Sequence, residues 1–206
     1  MAISDHDIIN IALEWKNNGR KVAIATVIQT WGSAPRGVGS KLLIDDLGNF
    51  EGSVSGGCVE GAVIGEASDL FKTGNAKILE YGVSNEMAWE VGLACGGELK
   101  VLVQPLNLED EIVYYIVNSI KKREVVKLRI DCSNGNRIID NTIDNQISHF
   151  DKLKNEFIHI IDPKPRLFII GAVHIAQALV SLANVCLLYT SPSQRDVEES
   201  RMPSSA

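Results

Sequence analysis

The chain has 206 residues, 45% hydrophobic and 22% charged, an ordinary globular composition that excludes disordered and collagen-like classes. Lys plus Arg number 20 against 26 Asp plus Glu, a net charge of −6, with no basic cluster to track a phosphate backbone, so nucleic acid is not an expected partner. The N-terminal stretch "MAISDHDIINIALEWKNNGR" lacks a basic n-region and a cleavage site, which argues against a secretory signal and for a cytoplasmic protein whose four cysteines are thiols. In chain order, residues 5–18 place Ile8, Ile9, Ala12, Leu13 and Trp15 at helical spacing behind Ser4 or Asp5, and Gly19 closes the helix. "KVAIATVIQT" is continuously apolar, as a strand buried on both faces is. "SKLLIDDLGNFEGSVS" reads as two strands joined at "DDLGN". The stretch 59–74 repeats Val59, Val63, Ala67 and Leu70 on one helical side before Gly74. "AKILEYG" and "ELKVLVQPL" are further strands, the second ending at Pro105.

Residues 1–105 are thus expected to form a compact N-terminal α/β domain, followed by a connecting α/β region over 106–161. The second region contains a helix at 108–123, a strand at 124–130, a turn at "DCSNGNR", then a further short helix and strand. "DPKP" at 162–165 is a stiff linker. After it, "RLFII" turning at Gly171 into an amphipathic helix predicts the start of a Rossmann-like βα unit over 166–185. Gly171, His174, Gln177, Ser181 and Asn184 interrupt the apolar run 167–189, which reads against a membrane span. The strand and helix pattern then stops. Residues 186–206 read either as a disordered tail or, more sharply, as non-native. "CLLYTSPSQRD" and "SRMPSSA" resemble a translated sequencing-library adapter, with Val197, Glu198 and Glu199 at the index and Gln194 where proline would stand. On that reading the domain opening at Arg166 is truncated and cannot bury its own sheet face.

Four motifs carry chemistry. In "SGGCVEGAV", Gly56 and Gly57 permit φ > 0 and close approach of a ligand, and the helix start lowers the pKa of Cys58. The expectation is an anion or cofactor cradle with a soft sulfur donor, although a tight turn with an inert core cysteine gives the same letters. "ACGGELKV" offers a second such turn, with Cys95, Gly96 and Gly97 at a sheet edge. The loop "TWGSAPRGVGSKLLID" supplies Ser33, Arg36 and Gly37, a guanidinium among backbone N–H groups suited to phosphate or carboxylate. Zinc fits poorly, because there is no CxxC and His6, His149, His159 and His174 are scattered. In "RLFIIGAVHIAQAL" a dinucleotide fingerprint is incomplete, since Val173 and Ala176 occupy its second and third glycine places.

"GSAPRGVGSKLLI", "GSVSGGCVEGAV", "CGGELKVLVQP" and "PRLFIIGAVHIAQAL", in that order, resemble the XdhC/CoxI family of xanthine dehydrogenase accessory proteins across residues 1 to about 185. The resemblance implies an N-terminal XdhC/CoxI domain before a Rossmann-like one. It implies a cytoplasmic chaperone that binds molybdenum cofactor (molybdopterin), a role of binding and transfer for which the sequence itself establishes no catalytic turnover. The cofactor would be held while a cysteine desulfurase supports its sulfuration, then passed to a xanthine dehydrogenase-type molybdenum hydroxylase. It places Cys58 and Cys95, as metal-side thiols, and their flanking glycines near the cofactor. His174 matches the family's "GxGH" histidine, and Val173 stands where the family has glycine, which weighs against NAD(P) in the C-terminal unit. A nucleotide-dependent oxidoreductase or thiol enzyme using Cys58 or Cys95 is the alternative, as is a structural adaptor, and a homodimer is left open.

Overall fold

The computed structural model describes residues 5–32, 34, 36–57, 59–83, 97–106, 111–142, 147–163, 165–170, 174–185 and 189–191. It divides into two compact units, one formed by Asp5–Asp162 and the other containing the chain from Pro163 on. Each is mixed α/β. The elements of the first are α1 (Asp5–Asn17), β1 (Val22–Gly32), β2 (Lys41–Asp45), β3 (Phe50–Gly52), α2 (Glu60–Thr73), β4 (Lys77–Val83) and β5 (Gly97–Pro105). These are followed by α3 (Glu111–Lys122), β6 (Val126–Asp131), β7 (Arg137–Ile139), β8 (His149–Asp151) and β9 (Glu156–Ile161).

Two antiparallel sheets result, with strand orders β3-β2-β1-β5-β4 and β7-β6-β9-β8. The central strand β1 explains how they pack. Its residues Ala23, Ala25 and Val27 join Leu99, Val101 and Val103 of β5 in a core closed by Val63, Ala67 and Leu70 of α2. The opposite face carries Ile28 and Leu102 into a second core with Ile116 of α3, Val126, Leu128 and Ile130 of β6, and Phe157 and Ile161 of β9. A register shift between Val27 and Gln29 on β1 turns the strand at this point. Burial on both faces is why Val22–Ile28 contains no exposed residue.

Local chemistry sets the boundaries. Gly19 and Gly74 end α1 and α2 in the left-handed region, at φ +77 and +73, with Gly74 N–H bonded to the Leu70 carbonyl at 2.8 Å. In the β2–β3 turn the buried Asp45 carboxylate accepts from Leu47 N–H at 3.0 Å and from Asn49 N–H at 2.7 Å, and it pairs with Arg20 at 2.7 Å. One sequence expectation fails. Where the pattern predicts a short helix between 138 and 161, the described residues are strands and turns. The Asp151 carboxylate takes the N–H groups of Leu153 and Lys154, and Asn155 sits at φ +55, so the chain reverses into β9 instead of coiling.

The second unit has β10 (Arg166–Phe168), α4 (His174–Val185) and β11 (Tyr189–Ser191), with β10 and β11 parallel. That is a βαβ arrangement. It carries the strand and helix pattern to Ser191, beyond Val185, where the sequence pattern stops. Among the described residues no helix is long and apolar enough to cross a membrane.

Candidate functional site

The antiparallel registers decide where the motifs emerge. Thr26 pairs with Lys41, Leu42 with Gly52, and Gly97 with both Gly32 and Val83. The strands β1, β3 and β4, which in sequence precede the Arg36, Cys58 and Cys95 motifs, therefore all finish at one end of the five-stranded sheet. They do so at two levels. β1 and β5 run on together from the Val27–Val101 pair to the Gly32–Gly97 pair, an arm of roughly 15 Å at about 3.3 Å per residue.

At the lower level, the turn from β3 into α2 is organised by a residue that the motif reading did not select. Glu60 opens α2 and is buried, and its carboxylate reaches back into the loop. It accepts from the Ser53 hydroxyl at 2.8 Å, the Ser55 hydroxyl at 2.6 Å, and the N–H groups of Val54 (3.2 Å), Ser55 (2.9 Å), Gly56 (3.0 Å) and Gly57 (2.9 Å). Burial alone would raise its pKa. The Ser55 hydroxyl, the Ser55 N–H and the Ser53 hydroxyl outweigh burial and hold the carboxyl far below the usual carboxylate range. The loop is thus a cradle for an anion, and the anion it holds is the chain's own. Gly56 and Gly57 lie at φ +95 and +125, and a side chain on Gly57 would meet nothing within 4 Å, so backbone conformation rather than crowding calls for glycine there. The sequence signal for this latch was available: two serines and a Gly-Gly pair followed by an acid at the first helical position.

The neighbouring connection is tied into the same region. Val27 N–H donates to the Ser40 carbonyl at 2.9 Å, Gly39 N–H to the Val27 carbonyl at 2.8 Å, and Ser53 N–H to the Lys41 carbonyl at 2.9 Å. Lys41 Nζ donates to the Gly39 carbonyl at 2.9 Å and lies 3.1 Å from His159 Nε2 on β9. Arg36 in this connection is half-buried and Gly37 is exposed. At the upper level, Gly97 is the first residue of β5. Cys58, Cys95, Gly96 and Ser33 lie outside the described residues. Cys132, which no motif singled out, is buried in the second core, and its thiol is pushed up to about 11 by burial with the Asp131 charge adding to it. Among the described residues, no group of three or more His, Cys, Asp or Glu forms a metal site.

The glycine-rich connection after β1 and the latch before α2 fall within one contiguous stretch that has known counterparts. Residues 15–82 match the XdhC and CoxI family. The segment holds Arg36, Gly37, Cys58 and Glu60 and stops short of Cys95. Over 189 residues, 81% of this chain and 56% of the relative, the sequence is 29% identical to a probable xanthine dehydrogenase subunit of Bacillus subtilis (strain 168). Over 128 residues, 62% of this chain and 40% of the relative, it is 29% identical to the molybdenum cofactor insertion chaperone PaoD of Escherichia coli (strain K12). The chain spans about half the length of these curated relatives. In fold it is similar to the crystal structure of a xanthine dehydrogenase from Bacillus halodurans, with a TM-score of 0.70 at 23% identity, over 91% of this chain and 61% of that one. The XdhC and CoxI segment thus contributes α2, the β1–β2–β3 meander and most of β4 to the sheet end described above.

Proposed function

We propose that the chain is an accessory protein of a xanthine dehydrogenase-type molybdenum hydroxylase. It binds molybdenum cofactor as cargo, holds it while it is sulfurated with a cysteine desulfurase, and passes it to the client enzyme. The observation that carries this reading is that three strands, each followed in sequence by a glycine-rich motif, finish at one end of a single sheet, two of the motifs lying inside the XdhC and CoxI match. The names of the two relatives support it.

The donor set suits the cargo. Cys58 and Cys95 supply soft sulfur for molybdenum, and Arg36 supplies a guanidinium for the phosphate of molybdopterin. The N–H groups of Gly56 and Gly57 have a different task, since Glu60 occupies them. They fix the loop that leads towards Cys58, two residues ahead of Glu60 in the chain, and a position just before a helix start favours thiolate. Cysteine transfer chemistry needs that rigidity more than it needs another anion site.

The test is molybdenum and pterin stoichiometry on the protein purified, with oxygen excluded, from a host that makes the cofactor. Near-stoichiometric content in the wild type, reduced at least tenfold in Cys58→Ala with the melting temperature unchanged, is the expected result. A cofactor-free wild type, or a Cys58→Ala protein that keeps its molybdenum, overturns the carrier reading.

A further inference from the structure

The upper level of the site carries a second pattern that the thiols do not explain. Trp31 is 71% exposed and occupies the next-to-last pair of the β1–β5 ladder. Its cross-strand partner on β5 is Glu98, also exposed, and the partner of Glu98 on β4 is Gly82. Directly paired residues share a face, with Cβ atoms about 5 Å apart. One row across three strands therefore reads indole, carboxylate, bare backbone. The next row outward pairs Gly32 with Gly97.

These glycines are not all needed for the fold. Gly32 has φ +77, which favours glycine. Gly82 does not: its φ is outside the left-handed region, and an added Cβ would meet only Glu98 Cγ at 3.7 Å, an ordinary contact. A strand glycine required by neither conformation nor packing leaves the backbone open to close approach by a ligand or another chain. The cation two residues along from Glu98, Lys100, is ion-paired with Glu80. The row combines a π face, a carboxylate beside it, and open sheet over which a flat molecule can lie.

Resting on the cofactor-carrier reading, we propose that Trp31, Glu98 and Gly82 form the floor that recognises the planar pterin end of the cargo. The indole stacks on the bicycle, and the Glu98 carboxylate accepts from the adjacent amino and ring N–H donors of its 2-amino-4-oxo-pyrimidine edge. A carboxylate opposite two parallel N–H donors gives a two-point contact that a 2,4-dioxo ring cannot reproduce. Specificity for pterin over lumazine follows from that difference.

The experiment titrates the full chain with 6-carboxypterin and with 6-carboxylumazine, reading the ligand's own fluorescence anisotropy for wild type, Trp31→Leu and Glu98→Gln. Both side chains are exposed, so melting temperatures should match. The expected result is saturable pterin binding, weakened at least tenfold by Trp31→Leu. Glu98→Gln should weaken pterin about tenfold and leave lumazine within twofold, which removes the discrimination. Absence of wild-type binding, or variants within twofold of wild type for pterin, overturns the proposal. Molybdenum content measured on the same three proteins separates the two levels. Equal molybdenum in all three, with no effect of the variants on pterin binding, removes the floor and keeps the carrier. Pterin binding that depends on Trp31 in a chain that never acquires molybdenum keeps the floor and removes the carrier.

Discussion

Glu60 organises the loop that any reading of the motif would place at the site, and its chemistry makes it testable alone. Substitution by Gln removes the charge and misplaces a donor against N–H groups of Val54, Ser55, Gly56 and Gly57. Leaving several such groups short of an acceptor costs about 3 kcal/mol, a fall in melting temperature of roughly 6–12 °C for a protein of this size, measurable by calorimetry. The pH dependence has a definite sign. The folded pKa lies below the ordinary value of 4.5, so the stabilisation is complete above about 4.5 and is lost as pH falls below it. The urea midpoint of the wild type should drop more between pH 6 and pH 4 than that of Glu60→Gln; equal drops would show that the latch is not the titrating group. Cys132 gives the complementary case. Buried and with its thiol raised to about 11, it should resist iodoacetamide at pH 8 in the folded protein and react once urea unfolds it. Sequence inspection finds the Gly-Gly-Cys turn but passes over the role of its acid, because a glycine pair advertises free N–H groups, while the signal that they are filled lies in the two serines before it and the acid three positions on.

At the scale of elements, apolar spacing locates α1, α2, β1 and the β2–β3 hairpin, and the glycine stops at Gly19 and Gly74 fall where their positive φ requires. The failure at 138–161 has a physical cause. "DKLKN" lacks glycine and its lysines and leucine suit a helix, yet it turns like "DDLGN", with an Asp accepting the N–H two residues on in both. The left-handed position is filled by Asn155 rather than glycine, and asparagine tolerates that conformation at a small cost. Asn155→Ala should therefore destabilise the β8–β9 turn by about 1 kcal/mol, and Asn155→Gly should be neutral or slightly stabilising. Chemical denaturation of both variants checks the pair, and faster amide exchange confined to β8 and β9 would locate the effect.

For the molecule as a whole, the sequence carries the layers better than the order within them. A both-faces-buried strand announces that something covers each side of β1, but its partner β5 lies some seventy residues later, across α2 and β4, and no local signal specifies that pairing. The two cores on either side of the central sheet both lie within Asp5–Asp162. A fragment ending at Asp162 should consequently fold by itself and melt within a few degrees of the full chain, as circular dichroism would show; a fragment that stays unfolded would mean the remaining residues complete a core. The latch at Glu60 has a consequence at this scale as well. The chain carries a net charge of −6, and its most anion-friendly loop is already neutralised from within. Free phosphate and nucleotides, the abundant competitors for any glycine cradle, are thus discouraged twice, by long-range repulsion and by a resident carboxylate that they would have to evict.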